Sequence, residues 1–182
     1  MGTSFAKIYN RFLGKITDDM YMELTPEDTI KDLRNLLVDA IPGFEFPRQT
    51  LEFSISNEYV NSDMITDTDF VISTENNISL IDKSAFSADL TYEEINILAL
   101  LMMRSWLQRQ VTTIENTRMK YSGADFKMTS QANHLSKLMA LLTESRRDSF
   151  HMQRLYKRRK TGADGRYKSN WSSLMEVSAL DD

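Results

Sequence analysis

The densest run of apolar residues in the chain covers positions 95–107, where few polar side chains interrupt it. Thr91 and Glu94 precede the run with the spacing of a capping box, which predicts a long helix from here to about Ile114. Because its apolar residues go nearly all round the helix, we expect cover from other helices, from neighbouring copies or from both. The run is too short for a membrane span, which needs about 20 apolar residues.

Three further segments have apolar residues at helical spacing. The first covers positions 4–13 and stops at Gly14. The second begins with Thr25 as its cap and stops at Pro42. The third begins at Ser130, becomes steadily more basic and ends at about Lys157. Its predicted buried face consists of Leu135, Leu138, Met139, Leu142 and Phe150.

The region between the second helix and the central helix has a different pattern. Leu51, Phe53 and Ile55 alternate with polar residues, which predicts a half-buried strand. Positions 70–73 and 78–81 flank a polar tetrapeptide and predict a β-hairpin, which we expect to project from the helical body. The polar segment 57–69 is predicted to be an exposed loop.

The predicted fold class is therefore mainly α. It consists of a helical bundle with a long central helix, a small inserted β-hairpin region and an extended C-terminal arm. We place the helical domain at residues 1–160, its β insertion at about 48–84, and the arm at 161–182.

Charge is distributed unevenly along the chain. Residues 1–145 contain 13 basic and 21 acidic side chains, a net charge of −8. Residues 146–168 contain 9 basic and 2 acidic side chains (+7), and residues 169–182 contain 3 acidic and no basic ones (−3). An acidic body thus carries a basic segment, a distribution that guides association with partners of opposite charge.

Candidate catalytic chemistry is sparse. The chain has no cysteine, and its two histidines, His134 and His151, are not at metal-ligand spacing. The common phosphate-loop, hydrolase and zinc-protease motifs are absent. Acidic pairs such as Glu93–Glu94 lie at helix starts, where capping explains them. We predict a protein that is not an enzyme and has no metal and no cofactor.

The run from Lys157 to Lys160 has three interpretations at this point. The first is a patch that neutralises nucleic-acid phosphates. The second is a solvated helix end, where the helix dipole stabilises cations. The third is a docking segment for an acidic protein surface.

The order of four stretches resembles a known family. They are IYNRFLGKITDDMYMELTPED, AIPGFEFPR at the end of the second helix, DLTYEEINILALLMMRSWLQRQV, and YSGADFKMTSQANHLSKLMALL. In this order they resemble the head–tail connector adaptors of tailed bacteriophages, the neck proteins that join head to tail. The resemblance covers about residues 5–159.

This resemblance implies a virion protein in the neck, made in the host cytoplasm and without a membrane partner. It implies a homo-oligomeric ring, commonly a dodecamer, that docks under the portal protein and is followed by the next neck or tail-terminator protein. The ring would form part of the channel through which genome DNA passes without specific binding. An acidic wall, which repels DNA, suits such a channel.

The predicted portal-docking site is the segment that combines basic residues with apolar anchors. Its residues are Tyr156, Lys157, Arg158, Arg159, Lys160, Arg166, Tyr167, Lys168, Trp171, Leu174 and Met175. We expect Trp171 to be solvent-exposed in the free chain; the alternative is that it folds back onto its own helices. Two other functions stay open. One is a nucleic-acid-binding module that uses residues 146–168, and the other is a small cytoplasmic helical regulator.

Overall fold

The chain is a mixed α/β protein, so the predicted mainly α helical bundle is wrong. The computed structural model describes residues 2–16, 20–66, 69–120, 128–161 and 167–168. Of the residues that the structure describes, 62% are helical and 15% lie in strands, with antiparallel sheets of two and three strands. These strands are too many and too well paired for a single hairpin inserted between helices.

Helices and strands alternate in blocks along the described residues. The helices are α1 (Phe5–Leu13), α2 (Met20–Glu23), α3 (Pro26–Ala40), α4 (Tyr92–Lys120) and α5 (Met128–Arg158), with 3₁₀ turns at Ile41–Gly43 and Ser62–Met64. The strands are β1 (Phe53–Ser54), β2 (Asn57–Asn61), β3 (Val71–Glu75), β4 (Ile78–Asp82), β5 (Ala85–Phe86), β6 (Lys160–Thr161) and β7 (Tyr167–Lys168).

The predicted helix starts are confirmed at Ser4 and Thr25, whereas α5 begins at Met128, two residues before the start predicted at Ser130. The Ser4 side chain accepts a hydrogen bond from the Ala6 amide at 3.2 Å and begins α1, which ends at Gly14. Thr25 caps α3 in the same way by accepting from the Asp28 amide at 3.2 Å. Each cap satisfies a backbone donor that the first helical turn leaves free, so the helices begin where the sequence predicts.

The core is built around α4. Helices α1, α3 and α5 all pack against it, and Leu98 and Met102 are fully buried. The cover that its nearly all-round apolar surface requires therefore comes from helices of the same chain. The apolar pattern of α4 gives no reason of its own to expect neighbouring copies.

The three-stranded sheet has the order β2–β4–β3 and packs against α3. Strands β3 and β4 form the β-hairpin that was predicted at positions 70–73 and 78–81. The two turn residues, Asn76 and Asn77, have φ angles of 47° and 64°, as a two-residue turn between twisted strands requires. The hairpin does not project from the helical body, since Ser79 and Ile81 are buried at the centre of the sheet.

Two other predictions for the β region are wrong. Residues 57–61 form strand β2 rather than a loop, and β2 lies at an edge of the sheet with a mostly exposed surface. An edge strand with solvent on its surface does not need alternating apolar residues, so its sequence resembles a loop. In the predicted strand 51–55 only Phe53–Ser54 pairs, with Ala85–Phe86, and Phe53 and Ile55 are exposed.

Asp82 joins the sheet to two helices. Its buried carboxylate accepts from the Tyr9 hydroxyl of α1 at 3.4 Å and forms a 3.0 Å ion pair with Arg34 of α3. Burial, and then the negative charge of Asp82, raise the pKa of Tyr9 well above its ordinary value. The β region is thus part of the same core as the helices.

Candidate partner-docking surface

The C-terminal end of α5 is fixed to the body of the protein by Tyr156, whose side chain is 1% exposed. Its ring packs against Phe44, with 5.5 Å between ring centroids and an angle of 63°. Its hydroxyl donates a hydrogen bond to Glu94 Oε1 at 2.5 Å. Burial, followed by this bond, raises the pKa of Tyr156 well above its ordinary value. The phenol therefore stays protonated and acts as a donor.

Glu94 performs two structural tasks with its two carboxylate oxygens. Oε2 accepts from the amide of Thr91 at 2.7 Å and from its hydroxyl at 2.9 Å, while the Glu94 amide donates to Thr91 Oγ1 at 3.3 Å. This confirms the predicted capping box. Oε1 accepts from Tyr156. Because a buried carboxylate is costly unless both oxygens have donors, the start of α4 and the end of α5 depend on each other.

Arg48 caps the other side of the same helix end. Its guanidinium lies 4.3 Å from the centroid of the Tyr156 ring and donates to the carbonyl oxygens of Tyr156, at 2.8 Å, and of Arg159. The last carbonyls of a helix have no partner within the helix, so a cation with several donors suits this position. Arg159 also forms a 2.9 Å ion pair with Glu93, in which the arginine side chain is half-exposed.

Beside this anchored helix end lies an open groove of about 440 Å³, which we term the basic groove. It is lined by Glu45, Phe46, Phe150, Gln153, Arg154, Lys157 and Arg158.

The loop wall of the basic groove is held against α5 by Gln153. This buried amide accepts from the Glu45 backbone N–H at 2.8 Å and donates to the Gly43 carbonyl at 3.2 Å. Phe46 on the loop is 46% exposed and Phe150 on α5 is 53% exposed. The groove therefore presents two aromatic rings on a support that is already in place.

The charge of the groove is positive, since its lining has three cations and the single carboxylate of Glu45. Lys157 Nζ lies 3.8 Å from the centroid of the Phe46 ring, a cation–π contact. Arg154 and Arg158 are exposed, and neither they nor Lys157 form an ion pair with a described residue. Exposed aromatic rings next to unpaired cations are the composition of a protein-binding surface that fits an acidic, partly apolar partner.

The structure places the predicted site residues in different environments. Lys157 and Arg158 line the basic groove, whereas Arg159 is paired with Glu93. Tyr156 is a core residue, so its side chain is not offered to a partner; its apolar ring and single hydroxyl both find partners inside the fold.

The remaining predicted residues follow α5. Lys160 and Lys168 are paired across the antiparallel strands β6 and β7, which also pair Thr161 with Tyr167. The other four, Arg166, Trp171, Leu174 and Met175, lie outside the described residues.

Sequence reasoning missed Phe46, Phe150 and Arg154. Phe150 is assigned to the buried face of α5, but the buried positions follow the spacing 138, 142, 145, 149, 153 and 156. Phe150 lies one position away from that series. The signal was available in the steps of three or four residues between these positions, but buried Ser145, Ser149 and Gln153 are polar and hide it.

Other chemistry is limited in the part of the chain that the structure describes. No three His, Asp or Glu side chains there are grouped so that they could hold a metal ion. His134 and His151 are exposed on α5. None of the described helices is long and apolar enough to cross a membrane.

Comparisons with protein-family models, with curated proteins and with solved structures find no match for this chain.

Proposed function

We propose that this chain is a head–tail connector adaptor of a tailed bacteriophage. In this role a ring of copies docks under the portal protein in the virion neck. The ring joins the head to the next neck or tail-terminator protein. The order of the four resembling stretches supports the class of protein. The observation that carries the proposal is the basic groove, a cationic and aromatic surface mounted on an acidic body.

The contacts that hold the basic groove in place suit a docking role. Tyr156, Glu94 and Arg48 fix the end of α5, and Gln153 fixes the loop that carries Phe46. A surface that is ordered before binding loses less conformational entropy on docking, which leaves more of the contact energy for affinity. Exposed aromatic anchors supply that energy, and the cations of the groove guide the encounter with an acidic portal surface.

The segment that follows α5 completes the proposed portal contact. Arg166, Trp171, Leu174 and Met175 are the apolar and basic residues that we assign to it. Genome DNA would pass along the acidic body without specific binding, since like charges repel. The chain carries net charge −8 over residues 1–145, which supports this part of the proposal.

Purified portal rings from the virus that encodes the chain provide the test. The full-length chain should sediment with them as a ring, and both Trp171→Ala and removal of residues 169–182 should abolish co-sedimentation. Thermal melting of the free chain should not change in either variant. Tyr59→Ala removes an aromatic side chain that is 74% exposed on β2 and serves as the matched control. Portal binding by the truncated chain would contradict the proposal, as would unfolding of that chain on its own.

A second function is favoured by one observation, the basic residues on the last turns of α5 that form no ion pair with a described residue. Arg147, Arg154, Lys157 and Arg158 are all exposed there. A nucleic-acid-binding module would use them to neutralise phosphates, and its affinity would fall steeply with salt. DNA binding with such a slope, together with no affinity for portal rings, would decide for this second function.

A further inference from the structure

We infer that the free edge of strand β2 binds an extended, basic segment of a partner protein, which adds to the three-stranded sheet as a further strand. This edge lies in the β region. Neither its geometry nor its charge depends on the adaptor proposal or on the basic groove.

The backbone of β2 has one side that faces β4 and one side that faces away from it. The Ser56 carbonyl and the Ser62 amide form hydrogen bonds of 2.9 and 3.0 Å with the residues that flank β4. Because backbone groups alternate between the two sides of an antiparallel strand, residues at even positions face β4. The N–H and C=O groups of Asn57, Tyr59 and Asn61 therefore point outward, and none of them bonds to a described residue.

The spacing of these outward groups fits an extended chain. They recur at every second residue, about 7 Å apart, which is the repeat of the complementary groups on another β-strand. Strand addition takes its affinity from such main-chain hydrogen bonds and its specificity from side chains at alternate positions. The chemistry of the edge therefore calls for an extended backbone as the occupant.

Strand β2 is held in place before any partner binds. All five of its residues pair with β4 in an unbroken register, from Asn57 opposite Asp82 to Asn61 opposite Ile78. The Asn57 side chain also accepts a hydrogen bond from Arg34 of α3 at 2.9 Å. Since the edge is ordered in the free chain, docking of a strand costs less conformational entropy.

The usual protection of an edge strand is missing from β2. Proteins protect such edges with lysine, proline or a bulge. Strand β2 has the sequence NEYVN, without lysine or proline, and its register with β4 has no bulge. The opposite edge differs, because β3 has an irregular register between Val71 and Ser73 and packs against α3. Of the two edges, β2 is thus the one at which the sheet can grow.

The charge around β2 selects a basic occupant. Residues 49–82 contain seven acidic and no basic side chains. Glu58 on β2 and Asp63 shortly after it are exposed, and neither forms an ion pair with a described residue. Lysine or arginine side chains on an added strand would lie close to these carboxylates. The ring of Tyr59, which is 74% exposed, offers their aliphatic stems an apolar contact.

The same charge decides between a partner and a second copy. Edge-to-edge pairing of two β2 strands would bring two acidic surfaces together, and like charges across a strand pair are destabilising. A basic segment avoids this repulsion and is attracted to the edge.

Amide hydrogen exchange, measured by NMR on the full-length chain, tests the site. The probe is a synthetic peptide of about nine residues in which lysine alternates with valine or threonine. In the free chain the amides of Tyr59 and Asn61 should exchange faster than those of Glu58 and Val60, which face β4. With the peptide at about nine times its Kd, exchange at Tyr59 and Asn61 should slow about tenfold.

Two outcomes of the exchange measurement would overturn the inference. One is unchanged exchange at Tyr59 and Asn61 with millimolar peptide. The other is protection of these amides without peptide that grows with protein concentration, since a second copy would then occupy the edge.

Two matched peptides separate strand addition from simple charge attraction. One carries N-methyl groups on alternate backbone nitrogens, which removes the donors that face β2 and keeps every charge. The other has glutamate in place of lysine and keeps every donor. Both should bind at least about tenfold more weakly than the probe peptide. Equal affinity of either peptide and the probe would contradict an edge that takes a basic strand.

Variants of the chain identify the edge itself. Tyr59→Pro removes an outward N–H where proline is tolerated, and it should weaken peptide binding roughly tenfold. Tyr59→Ala keeps the amide and should weaken binding by less than about threefold. Combined Glu58→Gln and Asp63→Asn should lower the affinity and its salt dependence. Combined Glu144→Gln and Asp148→Asn, at two exposed acids on α5, should leave both unchanged.

Equal peptide affinities of Tyr59→Pro and Tyr59→Ala would show that the peptide binds elsewhere. The comparison of the three peptides uses the unaltered chain, so it decides the question even if Tyr59→Pro impairs folding. None of these assays contains a portal, and failure here leaves the adaptor proposal standing.

Discussion

The hydroxyl of Tyr156, in the last turn of α5, donates a hydrogen bond to the carboxylate of Glu94, in the first turn of α4. Both side chains are buried. The helix end that carries the basic groove is thus tied to the helix at the centre of the core. The rigidity of the proposed docking surface and the stability of the fold depend on the same contact.

Replacement of Tyr156 by Phe tests this contact. The variant keeps the ring but leaves one oxygen of the buried Glu94 carboxylate without its donor. An unsatisfied buried acceptor costs about 1–3 kcal/mol, so the free energy of unfolding in urea should fall by that amount. Tyr59→Phe, at a side chain that is 74% exposed, should stay within about 0.5 kcal/mol of the wild type. Equal stabilities for the two variants would show that the Tyr156–Glu94 bond does not hold α5.

Shortening a side chain in α4 should be far more costly than the same change on the exposed side of α5. Leu98 is fully buried, and Leu98→Ala should lower the free energy of unfolding by about 2–5 kcal/mol through lost contacts and a cavity. Leu141 is 45% exposed, and Leu141→Ala should change the free energy of unfolding by less than about 0.5 kcal/mol. Leu98→Asp should yield no soluble folded protein, because its charge would be buried without a partner. Normal solubility of that variant would contradict the position of α4 in the core.

The turn of the β3–β4 hairpin predicts a difference between two substitutions at one position. Asn77 has φ of 64°, a left-handed conformation that glycine adopts freely and a β-branched residue does not. Asn77→Val should therefore destabilise the fold by about 1–2 kcal/mol, whereas Asn77→Gly should leave its stability nearly unchanged. Thermal unfolding of the two variants measures this. If valine and glycine behave alike, the turn does not have the positive φ that the structure gives it.

Alkaline pH should weaken the fold through its buried phenols. Burial raises the pKa values of Tyr9, Tyr21 and Tyr156 in the folded protein above the value of about 10 that tyrosine has in an unfolded chain. Because the folded state favours the neutral phenol, this contribution to stability is complete below about pH 10 and is lost as pH rises above it. The free energy of unfolding should fall between about pH 9 and pH 11, and less steeply in Tyr156→Phe.

Leu142→Ala is the control for this pH dependence, since it destabilises α5 without removing a phenol. It should reproduce the wild-type slope from a lower starting value. A Tyr156→Phe slope as steep as the wild-type slope would show that the phenol of Tyr156 ionises as readily in the folded protein as in the unfolded one.

The parts of the fold that could be predicted are those in which local chemistry decides. Ser4, Thr25 and Thr91 each cap a helix within a few residues of sequence, and the helices begin there. The β3–β4 hairpin is likewise local, since its strands are joined by a two-residue turn. In these elements the interacting groups are neighbours in the chain, so sequence spacing is sufficient.

The parts that were missed depend on contacts between distant residues. Strand β2 is held by pairing with β4, about 20 residues later, and its own composition is polar. The basic groove needs Phe46 and Phe150, which are brought together only when Gln153 binds the loop. The contact between Gln153 and the loop leaves no periodic signal in the sequence, so Phe46 could not be predicted. The helical spacing that places Phe150 on the exposed side of α5 was present but hidden by the buried polar residues Ser145, Ser149 and Gln153.

Electron microscopy of purified virus particles tests the adaptor proposal most directly. Particles that carry a tagged copy of this chain should show it as a ring between the portal and the tail. Particles made with a chain that lacks residues 169–182 should separate into DNA-filled heads without tails and free tails. Absence of the tagged chain from the neck would contradict the proposal, and so would tailed, infectious particles assembled with the truncated chain.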